Sequence, residues 1–160
     1  EVQRVARKHF ACDSLAGAEL ENLEVAVDVG VAVGSHWEKR LFLTELMVAS
    51  LDERWTVSKS EFTLAVLADS GWYDVMYEAV DPFLRGKSGG CAFAQEKCNP
   101  NSPQWCNYAD ALQVPGSLCT FDRSALGVCN LANFTASLPD AYRYFSAPIQ
   151  GGTDALMDYC

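Results

Sequence analysis

The chain has 160 residues, with 12 basic and 21 acidic side chains, a net charge of -9 and 49% hydrophobic residues. That acidic balance disfavours nucleic acid and anionic lipid surfaces as partners, because both repel it at long range. The length suits one domain with a real core or part of a larger one, and the sequence shows neither a signal-peptide pattern nor an uninterrupted apolar run of about 18 residues able to span a bilayer.

The chain opens on Glu1-Val2-Gln3-Arg4, which has the texture of a domain interior, so a fragment is expected. Residues 2–10 set Val2, Val5 and Ala6 beside Arg4, Arg7 and Lys8, a pattern that predicts a short helix delivering His9-Phe10 to a turn near Cys12. His9 reads as structural rather than as a metal ligand. Asp13-Ser14 through Gly17 is turn-like, and Gly17-Ala18-Glu19-Leu20-Glu21-Asn22 leads out of it. In 23–33 the residues Val25, Val27, Val29, Val31 and Val33 alternate with Ala26, Asp28, Gly30 and Ala32, and this period of two with β-branched residues predicts a strand.

Gly34-Ser35-His36-Trp37-Glu38-Lys39-Arg40 follows, then Thr44-Glu45-Leu46-Met47, with Met47 11 residues after His36. By itself, a histidine beside Trp and Glu is most often a hydrogen-bonded structural residue. Neutral imidazole is also a good zinc ligand, but zinc needs three or four ligands, and a hydrolytic site adds a water and a general base. Leu41, Phe42, Leu43, Leu46 and Met47 make the next run apolar enough to be buried around the histidine, and a methionine there commonly fills irregular core gaps.

The clearest helix is expected at about 58–70. Ser58 and Glu61 form a capping box, Phe62, Ala65, Val66 and Asp69 recur at helical spacing, and Gly71 supplies a left-handed stop. Trp72, Tyr73 and Tyr77 are expected to be core aromatics. Glycine density rises at Gly86-Lys87-Ser88-Gly89-Gly90, which predicts a boundary between units 1–86 and 87–160. Beyond it Pro, Gly and Asn punctuate short segments joined by cysteines.

The seven cysteines are Cys12, Cys91, Cys98, Cys106, Cys119, Cys129 and Cys160. Six lie in the last 70 residues, which reads as a stapled, loop-rich region made in an oxidising compartment. No Cys-x-x-Cys pair favours zinc instead. Because seven is odd, at least one thiol is free or pairs outside the chain. Spacing alone leaves the connectivity open. Asn133-Phe134-Thr135 is a candidate N-glycosylation site, consistent with an exposed loop in a secreted protein.

The Gly34-to-Arg40 segment with Glu45-Leu46-Met47 resembles the part of leishmanolysin-type metallopeptidases that supplies the third zinc histidine and then the Met-turn. Other blocks agree in order: Val5-Ala6-Arg7-Lys8-His9-Phe10 with Cys12, the Gly17-to-Asn22 block, and Thr63-Leu64-Ala65-Val66-Leu67-Ala68-Asp69-Ser70-Gly71-Trp72-Tyr73. The likeness is close over about residues 2–106 and continues mainly through cysteine placement. It departs at 23–33, where relatives are typically shorter and glycine-rich.

The resemblance implies an α+β fold: the C-terminal half of a metzincin catalytic domain, with Met-turn and buried helix, followed by a disulfide-rich, mostly β or irregular module. It implies His36 as a metal ligand, Met47 as an apolar floor that does not coordinate, and Val48, Ala49 and Ser50 as a substrate-pocket wall. Glu38 and Glu45 are candidates to orient the imidazole. It also implies the pairs Cys12 with Cys91, Cys98 with Cys160 and Cys106 with Cys129, with Cys119 left for a partner beyond the C-terminus.

Such peptidases use one zinc ion, peptide or protein substrates and a His-Glu-x-x-His helix, which this sequence lacks. No catalytic residue is therefore expected in the chain itself, and the ion would be completed by residues outside it. The expected location is extracellular or on the cell surface, with membrane association only through parts not present. The alternatives are a non-catalytic relative and a disulfide-stapled extracellular interaction protein.

Overall fold

The structure, a computed structural model, describes residues 1–21, 34–51, 55–99, 104–106 and 118–160. The strand expected at 23–33 lies outside the described residues. Among those described, the chain is α+β, with two compact units, Glu1–Gln95 and Glu96–Cys160.

Helix α1, Val2–Phe10, forms where the apolar spacing predicts it and buries Val5, Ala6 and Phe10. Arg7 and Lys8 occupy its last turn, where cations complement the partial negative charge of a helix C-terminus. Ala11 ends it in a left-handed conformation, and Cys12 just beyond is bonded to Cys91. His9 stacks on Phe83, meets Phe10 and Phe62 edge-on, and donates from Nε2 to the Arg85 carbonyl at 2.8 Å. It is a core histidine with its polar end satisfied.

Helix α2, Lys39–Phe42, is a single turn whose N-cap Glu38 accepts from the Arg40 N–H at 3.1 Å. That turn drives Leu41 and Phe42 inward. Phe42 stacks on Trp37 at 5.3 Å and meets Phe62 edge-on at 4.9 Å, so the core of the first unit is a cluster of aromatic rings. Burial of one such ring contributes about 1.5–3 kcal/mol, with edge-to-face contacts adding to that.

Helix α3 spans Glu61–Asp69. It starts later than the expected 58–70, and its cap is Ser60 rather than Ser58: the Ser60 Oγ accepts from the Phe62 N–H at 3.1 Å. Ser58 is otherwise engaged, because its N–H donates to the Thr44 carbonyl at 2.7 Å and its carbonyl accepts from the Leu46 N–H at 2.9 Å. Those two bonds hold residue 58 in a parallel bridge with Glu45, extended rather than capping. Gly71, at φ 71°, terminates the helix as expected.

Trp72 and Tyr73 correct the expectation of core aromatics, being 85% and 56% exposed, while Tyr77 is half-buried. The left-handed turn at Gly71 leads the chain away from the buried face of α3, and the ring positions around Phe62 are already filled by Phe10, Trp37, Phe42 and Phe83. Leu46, expected to be buried, is likewise exposed.

The glycine-rich stretch 86–90 packs inside the first unit. Its Ser88 N–H donates to the His9 carbonyl at 2.7 Å, closing over the end of α1. Helix α4, Gly90–Gln95, follows and buries Phe93 and Ala94. Arg85 is buried beside this turn, donating to the Arg40 carbonyl at 3.1 Å and lying 5.5 Å over the Phe93 ring. Burial, helped by the charge of Arg40, pushes its pKa down to about 9.

In the second unit, β1 (Leu118–Cys119) pairs antiparallel with β2 (Leu126–Gly127), and β3 (Leu131–Asn133) with β4 (Gln150–Gly152). Thr120, Asp122 and Ser124 tie the first hairpin, and the hydrogen bond from Thr120 leads in holding the Asp122 carboxyl below its usual range. Two-stranded ribbons are marginal alone. Disulfides Cys98–Cys160 and Cys106–Cys129 constrain this unit, each of a kind worth about 2–4 kcal/mol through the unfolded chain. Cys119 carries a free, exposed thiol.

Candidate functional site

His36 stands on a short extended segment clamped from both sides. Its carbonyl accepts from the Glu21 N–H at 2.9 Å, and the Glu38 N–H donates to the Glu19 carbonyl at 3.1 Å, giving an antiparallel bridge between Leu20 and Trp37. On the other edge the Trp37 N–H donates to the Met47 carbonyl at 2.9 Å, in a parallel bridge between Trp37 and Val48. Gly34, at φ 94°, turns the chain into this segment. Trp37 anchors it by burying its indole against Phe42.

Alternation along the extended segment puts Trp37 in the core and leaves His36 exposed. The imidazole lines a groove of about 540 Å³ together with Leu20, Ser35, Met47, Val66 and Asp69. Its Nδ1 lies 3.1 Å from the Ser35 Oγ. When Nδ1–H donates to that hydroxyl, Nε2 keeps its lone pair, which is the tautomer a metal ligand needs. Nε2 has no hydrogen-bond partner among the described residues.

Sequence-nominated groups therefore meet in part. His36 and Met47 share the groove, with the Met47 side chain half-buried in its wall. Val48 is buried, Ala49 exposed, and the Ser50 hydroxyl accepts from the Lys39 Nζ at 2.8 Å; these three do not line the groove. Glu38 caps α2. Glu45 is directed toward α3 rather than toward the imidazole: it accepts from the Ser60 Oγ at 2.7 Å, the Ser60 N–H at 3.3 Å, the Thr63 hydroxyl and the Met47 N–H at 2.7 Å.

Sequence reasoning did not nominate Ser35, Ser60, Thr63 or Asp69. A serine directly before the histidine, and a second serine directly before Glu61, were the available signals. Asp69, which lines the groove, accepts from the Val2 N–H at 2.9 Å.

Among the described residues, no group of three or more His, Cys, Asp or Glu side chains comes together as a metal site. The donor chemistry fits a single contributed ligand: one imidazole nitrogen, oriented through the other and available at a groove wall. The remaining donors of a zinc site would come from elsewhere in the protein.

Comparison with known proteins gives one family. The leishmanolysin family model matches residues 1–160. The chain is 34% identical to a leishmanolysin-like peptidase of Caenorhabditis elegans, with 100% of this chain and 26% of that protein covered. It is 33% identical to a leishmanolysin-like peptidase of Drosophila melanogaster, covering 96% of the chain and 24% of the relative. Leishmanolysin of Leishmania donovani is 32% identical over 97% of the chain and 25% of its own length. The chain thus spans about a quarter of the relatives it matches.

Proposed function

This chain belongs to the leishmanolysin family of peptidases, and on that premise we propose that it is the third-histidine segment of a zinc endopeptidase. The first unit, Glu1–Gln95, belongs to the catalytic domain, and the cysteine-rich remainder begins the domain that follows. His36 holds the ion through Nε2, while Ser35 accepts from Nδ1–H and fixes the tautomer. Two histidines and the glutamate of a His-Glu-x-x-His helix come from polypeptide outside these residues. When bound, zinc supplies Lewis acidity and a nucleophilic water at neutral pH.

The chain's own residues shape the surroundings. Met47 presents an apolar thioether in the groove wall, Leu20 and Val66 extend that wall, and a peptide or protein substrate lies along it. Val48, Ala49 and Ser50, which the family resemblance nominates for the pocket that meets the residue after the scissile bond, follow Met47 outside the groove itself. The observation that carries this reading is the shared groove, in which His36 and Met47 meet with Nε2 free of protein partners among the described residues.

Disulfides Cys12–Cys91, Cys98–Cys160 and Cys106–Cys129 support maturation in the secretory pathway and an extracellular or cell-surface location. Cys119 pairs beyond the chain. No helix among the described residues is long and apolar enough to cross a membrane. Metal content and chelator-sensitive peptide cleavage, measured on the longer protein with His36 intact or replaced by alanine, test the assignment.

A further inference from the structure

We propose that Glu45 is a positioning residue for the His36 segment, its buried carboxylate linking the start of α3 to the peptide that pairs with Trp37. The inference rests on the reading of His36 as a zinc ligand. Glu45 has 0% of its surface exposed. One carboxylate oxygen, Oε1, accepts from the Ser60 N–H, the Ser60 hydroxyl and the Thr63 hydroxyl, all in the first turn of α3 or its cap. The other, Oε2, accepts among the described residues only from the Met47 N–H, at 2.7 Å.

The next link in the chain of bonds reaches the histidine. The carbonyl of the same Met47 accepts from the Trp37 N–H at 2.9 Å, and Trp37 is covalently joined to His36, whose own carbonyl is held by the Glu21 N–H. Residues 45–48 have no long helix or sheet of their own to fix them. A four-bonded carboxylate therefore supplies the rigidity, and it sets both the Met47 thioether and the His36 imidazole relative to α3. Orienting contacts of this kind, one step removed from the ligand, typically alter metal affinity or activity by about 10–100-fold.

Glu45→Gln discriminates this role from simple core stability. The amide oxygen can keep the three donors from α3, and the amide NH2 then faces the Met47 N–H, donor against donor, in a site that excludes water. The link to α3 survives and the link to Met47 is lost. Thr63→Val does the reverse, removing a bond on the α3 side and leaving Met47 held.

In the full-length protein, zinc affinity measured by chelator competition is expected to fall about 10-fold or more in Glu45→Gln. The turnover number falls with it, and KM for a peptide substrate is unchanged. Thr63→Val lowers the melting temperature but leaves zinc affinity within about two-fold. A folded Glu45→Gln with wild-type zinc affinity overturns the proposal, as does Thr63→Val weakening zinc equally. If Glu45→Gln does not fold, Glu45→Asp carries the test: its shorter carboxylate cannot span both partners, and wild-type zinc affinity in that folded variant also overturns the proposal. His36→Ala, run in parallel, separates the two levels, since retained zinc there defeats the ligand assignment itself.

Discussion

Replacing Gly86 by alanine is expected to be among the most damaging single-methyl changes in the first unit. The residue sits at φ 67°, where an L side chain costs about 1–2 kcal/mol. A Cβ there would lie 2.2 Å and 2.8 Å from two Phe93 ring carbons and 2.9 Å from a Phe10 ring carbon. Neither ring has room to retreat. Phe10 packs against Phe42 and Phe62, and Phe93 lies beneath the Arg85 guanidinium. Overpacking of this kind costs about 1–3 kcal/mol, so the sum is about 2–5 kcal/mol. Gly71→Ala provides the control, because Gly71 has nearly the same φ, 71°, with nothing within 4 Å of its Cβ position. It should cost only the backbone part, about 1–2 kcal/mol. Urea unfolding followed by tryptophan fluorescence reads both. Equal losses for the two variants would refute the steric argument and with it the close packing assigned to the 86–90 turn.

Stability should also depend on His9. Burial, opposed by the hydrogen bond to the Arg85 carbonyl and modulated by Lys87 and Glu61, holds its pKa below the ordinary 6.5. The unfolded chain therefore takes up the proton first, so the stabilisation is present above about pH 6.5 and is lost as pH falls below it. A His9→Gln variant should show a flatter stability profile between about pH 7 and pH 5, and an unchanged slope contradicts the role given to His9. Asn133 lies exposed in β3. Expressed through a secretory pathway, the protein should lose the mass of one glycan in Asn133→Gln, and identical masses contradict modification there.

The first helix was legible because it is local: apolar spacing over nine residues defines α1. The clamp around His36 was not, because its partners Glu19, Glu21 and Met47 are distant in sequence. The start of α3 was not legible to the residue. Ser58 and Ser60 are equally good caps by type, and the choice between them is made at long range by the Glu45 carboxylate and by the pairing of Ser58 with Thr44 and Leu46. Hydrophobicity likewise misplaced Trp72 and Tyr73, because burial of an aromatic depends on whether the core has vacant volume, which composition does not encode. Glycine density at 86–90 reads as looseness from sequence alone. In the folded unit the same residues mark closeness, since Gly86 and Gly89 each leave a Cβ's worth of space to the Phe93 ring. Connectivity of the cysteines was open by spacing, and it took the family resemblance to nominate pairs.

The most direct measurement is the zinc content of the longer protein, purified with His36 intact and as His36→Ala, with matched circular dichroism for both. About one zinc per chain in the former, and its loss together with peptidase turnover in a folded variant, is the expected result. Undiminished zinc and turnover in His36→Ala would contradict the account.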